Sequence, residues 1–221
     1  MQRNKGKRQS IYGRTILDII VIETAGVQFA DVERYLHCVS KPRQDAVLRK
    51  RNDEQKVQSL VAGLLVRSEL SRRAGIPFEK VAFEKGAHGK PYLKGGAVQF
   101  SLSHTKGAVC AAFADGTEDI GVDIERRDRK VSENMRSRVL SENERSIAES
   151  GGDIIRIWVK KEAFLKRTGL GIATDLRGAD TTLLPDVTCF EAGAYFVGAA
   201  GKGAAEANIT VMELSELLKR F

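Results

Sequence analysis

Apolar residues recur at helical spacing in the longer segments of the chain. The clearest case follows Asn52 or Asp53, either of which can cap a long helix that Gly75 and Pro77 end. The same spacing predicts helices over 31–39, 132–150 and 153–168, with Gly169 ending the last of them. A short helix or tail is predicted at 214–218.

Strand patterns fill the segments between these helices. A strand is predicted at 15–23, and β-prone runs at 98–102, 108–114 and 120–124 alternate with glycine-containing turns. These three runs predict a meander, and further strands are predicted at 187–197 and 208–212. Because helices and strands do not alternate strictly, the pattern predicts an α+β fold rather than a doubly wound α/β sheet.

Composition narrows the class of protein. The chain has 221 residues, 42% of them hydrophobic, which is enough to bury one substantial core or two small fused lobes. Its three widely spaced cysteines argue against a disulfide framework or a zinc site and favour a reducing cytoplasm. Residues 1–14 form a basic lead-in that is predicted to be disordered at its start. No apolar run is long enough to span a bilayer, so we expect a soluble protein.

The charge balance points to an anionic partner. The formal net charge is +7, from 36 Lys and Arg against 29 Asp and Glu. Such a surplus favours nucleic acid, a phosphorylated cofactor or an acidic protein. Charge alone leaves all three partner classes open.

Two carboxylates share one face of a predicted strand. Asp123 and Glu125 are two residues apart, so both side chains project from the same face, opposite Val122 and Ile124. Like charges at this spacing repel unless a cation or a proton lies between them. Paired oxygens suit Mg²⁺ when phosphates complete its coordination. A solvent-exposed strand face explains the pair equally well, so both interpretations stay open at this point.

The helix predicted over 153–168 carries a lysine on its apolar stripe. Lys161 falls near the middle of a stripe formed by apolar residues at 154, 157, 158, 164 and 165. A lysine there either extends its ammonium to solvent or has a buried anionic partner. Glu162 and Lys166 lie one turn apart on the flank of the stripe, where an ordinary surface ion pair is the simpler interpretation.

A third candidate combines a stiff turn with the end of a strand. Lys90 stands between Gly89 and Pro91, so this turn can offer backbone donors and one charge to a phosphate. Ser103 and His104 lie at the turn end of a predicted strand, where a side chain can reach a ligand. A lone histidine is more often structural, and each of these signals is weak when taken alone.

Taken together and in order, the motifs resemble those of a known family. The 4'-phosphopantetheinyl transferases, in particular the surfactin-synthetase-activating type, carry a similar set. The matching segments are Gly-Lys-Pro-Tyr (89–92), Ser-Leu-Ser-His-Thr (101–105), Gly-Val-Asp-Ile-Glu (121–125) and Trp-Val-Lys-Lys-Glu-Ala-Phe-Leu-Lys (158–166). The motif-bearing region runs from about residue 58 to residue 171, roughly half of the chain.

The resemblance implies catalytic and metal-binding roles. Asp123, Glu125 and Glu162 would bind Mg²⁺, or Mn²⁺ in its place. Glu162 would also be the general base that activates the serine of a carrier protein. Lys166 would contact the coenzyme A pyrophosphate and stabilise charge on the leaving group, with Lys161 as a supporting lysine.

The resemblance also implies how coenzyme A is held. Ser103 and His104 would contact the nucleotide phosphates, and Gly89, Lys90 and Pro91 would line the adenosine end. One position departs from the family pattern: relatives often carry an arginine near the start of the long helix, and this chain has Gln58. The missing positive charge could come from Lys56 or from a basic cluster comprising Arg43, Arg49, Lys50 and Arg51.

A reaction and an architecture follow from the same resemblance. Phosphopantetheine would pass from coenzyme A to a serine of an acidic acyl, polyketide or peptidyl carrier protein, releasing 3',5'-ADP. The family fold is a pseudo-dimer of two similar α+β lobes with the active site in the cleft between them. The lobes would be residues 15–114 and 115–221, in a monomer that binds neither nucleic acid nor membranes.

Two other function classes remain. A metal-dependent nuclease or related phosphodiesterase would use the same carboxylates and the charge of +7, but it leaves 89–92 and 101–105 without a role. A non-enzymatic basic module that binds nucleic acid has no recognition helix or base-stacking aromatic motif in its favour.

Overall fold

The computed structural model describes residues 17–86, 89–169 and 176–221. The strands are β1 (Asp18–Glu23), β2 (Phe83–Lys85), β3 (Pro91–Leu93), β4 (Val98–Thr105), β5 (Ala108–Asp115), β6 (Gly121–Arg126), β7 (Val187–Ala192), β8 (Tyr195–Ala200) and β9 (Asn208–Val211). The α-helices are α1 (Phe29–Val32), α2 (Lys41–Leu48), α3 (Asp53–Ala74), α4 (Glu133–Val139), α5 (Glu142–Glu149), α6 (Ile154–Thr168) and α7 (Leu214–Leu218). Short 3₁₀ segments lie at Glu33–Cys38, Phe78–Lys80, Leu176–Gly178 and Ala204–Glu206.

Two larger sheets and a small hairpin organise the fold. The first sheet has the strand order β4-β5-β1-β9, in which only the β1–β9 pair is parallel. The second sheet is antiparallel and has the order β6-β8-β7, and β2 pairs with β3 separately. Strand β9 returns from the C-terminal half of the chain to the sheet of the N-terminal half.

Alternation along the strands divides the core into layers. On β1, Ile20 and Ile22 pack with the apolar residues of α3, whereas Ile19 and Val21 belong to a cluster shared with the second sheet. Helix α6 covers the opposite face of the second sheet, where Val159 packs with Phe196 of β8. The layer order is therefore α3, first sheet, second sheet, α6, because each sheet buries both of its faces.

The predicted α+β class is confirmed, and several elements match closely. Helix α3 begins after Asn52, whose side chain accepts a hydrogen bond from the Gln55 amide, and ends at Gly75 in the left-handed conformation. Helix α6 ends at Gly169 in the same way, and the helix predicted at 214–218 is confirmed as α7. Residues 1–14 and the first two positions of the strand predicted at 15–23 lie outside the described residues.

Other elements differ from the prediction. The helix predicted over 132–150 is split, because Ser141 forms a capping box with Glu144 and starts a second helix. The strand predicted at 187–197 is a hairpin that turns at Gly193, and β6 leaves the predicted meander to join the second sheet. The helix predicted over 31–39 is a single α-turn followed by a 3₁₀ segment, and α2 was not predicted. None of the helices in the described ranges is long and apolar enough to cross a membrane.

Candidate active site

The candidate site lies between strand β6 and helix α6, which packs across it. Two glycines on the facing strands, Gly121 and Gly198, allow the α6 backbone to lie directly on the sheet. A Cβ at Gly121 would stand 1.9 Å from the Ala163 carbonyl oxygen, and one at Gly198 would stand 2.0 Å from that of Val159. Since Asp123 pairs with Gly198 in the sheet register, this contact brings the carboxylates of β6 beneath the polar flank of α6.

Alternate hydroxyl residues of β4 hold the carboxylates of β6. Ser103 Oγ donates to Asp123 Oδ1 at 2.7 Å, and Thr105 Oγ1 donates to Glu125 Oε1. One step earlier on β4, Ser101 Oγ accepts from the Val122 amide at 3.0 Å. Three hydroxyl groups with a spacing of two residues therefore join the edge of the first sheet to the edge of the second.

Asp123 and Glu125 project toward the same side, and each faces a basic side chain. Lys166 Nζ donates to Asp123 Oδ1 at 2.6 Å, and Arg129 Nη1 donates to Glu125 Oε2. The Arg129 guanidinium also lies over the Trp158 ring, 5.3 Å from its centroid. Lys166 thus bonds to Asp123 rather than to Glu162, its expected partner one helical turn away.

Glu162 has no such partner. Glu162 is only 8% exposed, and its Oε1 atom is buried without a hydrogen bond to any described residue. Burial, and then the nearby Asp123 carboxylate, raises the pKa of Glu162, while the charges of Lys166 and Arg129 oppose this shift. An orphaned buried carboxylate next to a second carboxylate is a place where a cation or a transferable proton is stabilised.

A cavity of about 270 Å³ opens beside these groups. One wall comes from the turn and strand of the N-terminal half and the other from α6. Its lining residues are Gly89, Lys90, Pro91, Phe100, Ser101, Leu102, Glu162, Leu165, Lys166 and Gly169. The structure therefore brings the 89–92, 101–105 and 158–166 segments to one cavity, and Lys166 joins it to Asp123.

Lys90 lines this cavity but its ammonium is already engaged. It donates to Asp119 Oδ1 at 2.8 Å, to the Ile120 carbonyl at 3.1 Å and to the Arg167 carbonyl at 3.0 Å. Gly89 precedes it with a φ of 82°, a left-handed conformation that glycine adopts without strain. Lys90 consequently ties the turn to the C-terminal end of α6 and shapes the cavity wall.

Ser103 and His104 diverge at the end of β4. Ser103 is buried on Asp123, whereas His104 is exposed. Desolvation of its ring by neighbouring atoms, followed by the charges of Lys166 and Lys50, lowers the pKa of His104, and Arg43 adds to this effect. The Asp123 carboxylate opposes this shift in pKa, but the cations outweigh it, and this environment suits a phosphate group.

Lys161 does not reach the cavity. It is fully buried, and its ammonium lies 2.6 Å from Glu144 Oε2 and donates to the Leu176 carbonyl at 2.7 Å. Of the two arrangements that the sequence allowed, the structure has the buried anionic partner. The role of supporting lysine at the coenzyme is consequently not favoured by its position, and Lys161 instead fastens α6 to α5 and to the segment after residue 175.

Gln58 is likewise occupied within the protein. It is 4% exposed, and its Nε2 donates to the Thr105 carbonyl at 2.6 Å. Its amide therefore supports the strand that carries Thr105 and His104. Among the basic residues that could replace the missing charge, Arg43 and Lys50 are the two whose charges act on His104.

Metal binding at this site requires side-chain movement. Within the described ranges, no group of three or more His, Cys, Asp or Glu side chains is arranged to hold an ion. Asp123 and Glu162 lie close enough to interact electrostatically, whereas Glu125 is turned toward Thr105 and Arg129. The unpartnered Glu162 oxygen nevertheless fits a cation, since it is buried and the Asp123 carboxylate lies close enough to repel it.

Comparison with known families agrees with this construction. Residues 119–202 match the profile of the 4'-phosphopantetheinyl transferase superfamily, and residues 28–115 match that of the 4'-phosphopantetheinyl transferase N-terminal domain. The chain belongs to the 4'-phosphopantetheinyl transferase superfamily. Two consecutive matches of this kind agree with the two-lobed fold of this superfamily, with α3 and the first sheet mainly in one match and β6 and α6 in the other.

Individual members of the superfamily resemble the chain over much of its length. The 4'-phosphopantetheinyl transferase gsp of Aneurinibacillus migulanus is 32% identical over 61% of this chain and 57% of its own length. The 4'-phosphopantetheinyl transferase Sfp of Bacillus subtilis is 27% identical over 70% of each chain. The L-aminoadipate-semialdehyde dehydrogenase-phosphopantetheinyl transferase of Xenopus laevis is 27% identical over 58% of this chain and 48% of its own.

Sequence reasoning missed three sets of contacts, two of them at the site and one that anchors helix α6. The hydroxyl groups at 101, 103 and 105 alternate along a strand, and that spacing could have predicted their common face. Glu144 could have been found as the fourth residue of a Ser-x-x-Glu capping box. Arg129 carries no sequence signal of its own, because only the turn after β6 returns it to Glu125.

Proposed function

We propose that this protein transfers the 4'-phosphopantetheine group of coenzyme A to a serine of an apo carrier protein and releases 3',5'-ADP. The observation that carries the proposal is the cavity between the N-terminal turn and α6. Its walls bring the orphaned Glu162 and the ammonium of Lys166 together with the Gly89–Pro91 turn. The names of the relatives support the same reaction class, and they give no support to the nuclease alternative.

Coenzyme A would lie along this cavity with its phosphates toward the basic groups. Lys166 would leave Asp123 to contact the diphosphate, since phosphate oxygens offer an ammonium group charge-assisted hydrogen bonds as strong as those of a carboxylate. His104, with Lys50 and Arg43 around it, would take the nucleotide phosphates. The Gly89–Pro91 turn would line the adenosine end, with Lys90 holding the turn in place.

A divalent cation would be held by Asp123, Glu125 and Glu162. Mg²⁺ is the expected ion, with Mn²⁺ as a substitute, because the donor set consists of carboxylate oxygens. When bound, the ion would neutralise the charge of the diphosphate. The unpartnered Oε1 of Glu162 supports this assignment, since a buried carboxylate without a donor is costly unless a cation or a proton compensates it.

The chemistry follows from the positions of Glu162 and Lys166. The carrier serine Oγ forms a bond to the β-phosphorus of coenzyme A, and the bond from this phosphorus to the 3',5'-ADP oxygen breaks with its electron pair. Glu162 receives the serine proton, directly or through a water, and its raised pKa makes it a better base than an exposed glutamate. Lys166 stabilises the negative charge that develops on the departing nucleotide.

The partner would be an acidic acyl, polyketide or peptidyl carrier protein. The net charge of +7 supports this choice, because opposite charge accelerates the encounter of two proteins. We expect the protein to act as a monomer in the cytoplasm. We also propose lobes at 15–114 and 115–221, a division supported by the interval between the two family matches, with β9 and α7 returning to pack on the first lobe.

Intact-protein mass spectrometry tests the reaction. An apo carrier incubated with this protein, coenzyme A and Mg²⁺ should gain the mass of one phosphopantetheine, and EDTA should abolish the gain. Glu162→Gln should lose the activity. Glu149 is an exposed residue of α5 that does not line the cavity, so Glu149→Gln, which removes the same charge, should keep the activity. Absence of a gain with fatty-acid, polyketide and peptidyl carriers would contradict the proposal, and Mg²⁺-dependent cleavage of DNA would favour the nuclease alternative.

A further inference from the structure

Of the three proposed metal-binding carboxylates, Asp123, Glu125 and Glu162, the first two each pair with a basic side chain. Lys166 Nζ lies 2.6 Å from Asp123 Oδ1, and the Arg129 guanidinium donates to Glu125. Of the three, Glu162 has a buried oxygen without a partner among residues 17–86, 89–169 and 176–221. The coenzyme-free site is thus partly neutralised from within, at the atoms that a divalent cation would use.

Arg129 is held at Glu125 from two sides. It lies in the turn after β6, four residues beyond Glu125, and its guanidinium lies over Trp158 of α6 at 5.3 Å from the ring centroid. Its charge also reaches Glu162, where it opposes the rise in pKa. The guanidinium therefore offsets the negative charge of Glu125 through a direct ion pair and that of Glu162 at longer range, while the Trp158 ring holds it in place.

The exposure of the pair indicates that it can open. The Arg129 side chain is 40% exposed, whereas that of Glu125 is 12% exposed. Water can solvate the guanidinium if it leaves, so its departure costs little, whereas water replaces the lost charge partner of the less exposed carboxylate only in part. An exposed cation on a nearly buried anion is therefore a displaceable partner.

Lys166 and Arg129 differ in the partner that is available to each once it leaves its carboxylate. Lys166 lines the cavity, so a bound diphosphate offers it a new anionic partner. Arg129 is not among the residues that line this cavity, and solvent is its alternative. Coenzyme A can therefore draw Lys166 from Asp123, while Arg129 competes directly with an incoming cation for Glu125.

We propose, on the basis of the proposed function, that Arg129 is a positioning residue that occupies Glu125 in place of the divalent cation. It holds Glu125 turned toward the segment after β6 and raises the cation concentration that is needed to load the coenzyme-free protein. The cation then binds tightly only together with coenzyme A, when Lys166 has moved to the diphosphate and Asp123 has become available.

Mn²⁺ binding without coenzyme A tests this role. The free Mn²⁺ signal in electron paramagnetic resonance gives the Kd for the full-length protein and for Arg129→Met, which keeps an apolar contact with Trp158. Because an ion pair of this exposure is worth about 1 kcal/mol, the variant should bind Mn²⁺ about fivefold more tightly. The matched control is Arg127→Met, which removes the same charge from a residue paired with Glu191 and stacked on Phe196.

Each outcome decides the inference. Tighter Mn²⁺ binding in Arg129→Met but not in Arg127→Met, with coenzyme A strengthening Mn²⁺ binding less than in the unaltered protein, supports it. An equal increase in Mn²⁺ affinity in both variants would mean that the effect comes from net charge, and it would overturn the inference. Unchanged or weaker binding in Arg129→Met would also overturn it. If phosphopantetheine transfer proceeds in that last case, the proposed function stands and only the role of Arg129 fails.

Discussion

Gly198 of β8 lies directly beneath Val159 of α6, and a Cβ on this glycine would stand 2.0 Å from the Val159 carbonyl oxygen. This contact fixes the height of α6 above the second sheet. Because Glu162 follows one turn later on the helix and Asp123 is the register partner of Gly198, the same contact sets their separation. Packing of two backbones thus determines the geometry of a carboxylate site.

Gly198→Ala should therefore unfold the protein or lower its unfolding free energy by about 3 kcal/mol or more, since overpacking against backbone cannot be relieved by a side-chain rotation. Urea denaturation followed by circular dichroism measures this change. Gly178→Ala is the matched control, because a Cβ there meets nothing within 4 Å, and its stability should be unchanged. A stable Gly198→Ala protein with unaltered transfer activity would contradict this account of α6.

Much of this arrangement could be predicted from local sequence. Helix α6 with Gly169 at its end and the shared face of Asp123 and Glu125 depend on periodicity and on glycine conformation, which act over a few residues. The contact between Gly121 and Ala163 could not be predicted in this way, since it joins residues that are far apart in the chain. The sequence around Gly121 does not indicate that the backbone of α6 packs against this glycine.

The partners of the charged residues were the least predictable part. Lys161 was expected at the coenzyme or on a buried anion, and its position beside Glu144 depends on the unforeseen break between α4 and α5. Helical spacing predicts an ion pair of Lys166 with Glu162, one turn earlier, but Lys166 contacts Asp123 on another element. Ion pairs between elements require the tertiary fold, whereas helical spacing gives only the pairs within one helix.

Removing the Glu162 charge should stabilise the protein while it abolishes transfer. Glu162→Gln keeps the side-chain shape, and at neutral pH it removes a buried carboxylate whose Oε1 has no hydrogen-bond partner among the described residues. The expected gain in unfolding free energy is about 1 kcal/mol. Thermal unfolding of the coenzyme-free protein by calorimetry measures it.

The gain from Glu162→Gln should depend on pH in one direction. The pKa of Glu162 is raised in the folded state, so the carboxylate binds its proton more tightly when folded than when unfolded. The penalty is complete above the folded pKa and disappears as the pH falls below the ordinary glutamate value. A stability difference that stays constant across this window, or grows toward acid, would show that the carboxylate is compensated in the folded protein.

The Lys161–Glu144 pair should matter for stability rather than for coenzyme affinity. Both side chains are fully buried, and Glu144 also accepts bonds from the Ser141 amide and from Thr181. Lys161→Met leaves this carboxylate without its cation, which should cost about 3–5 kcal/mol of unfolding free energy. Denaturant unfolding measures the loss, with Lys160→Met as the control for removing a neighbouring charge from α6.

Kinetics distinguish this role of Lys161 from coenzyme binding. At a temperature where Lys161→Met remains folded, the KM for coenzyme A should match that of the unaltered protein. Should the variant not fold, Glu144→Gln gives a milder test, because its amide can still accept a hydrogen bond from Lys161. A raised KM without a loss of stability in either variant would return Lys161 to the coenzyme site.

His104 should distinguish coenzyme A from its analogue without the 3'-phosphate. The imidazole is exposed at the end of β4, and the charges of Lys166, Lys50 and Arg43 act on it. A hydrogen bond to a charged group is worth about 1.5–3 kcal/mol, so His104→Ala should raise the KM for coenzyme A about 10- to 100-fold. If the 3'-phosphate is the nucleotide phosphate that His104 binds, the KM for 3'-dephospho-coenzyme A should change little, because that substrate lacks this group. An equal loss for both substrates would move His104 from the 3'-phosphate to the diphosphate, whereas no loss for either would remove it from the coenzyme site.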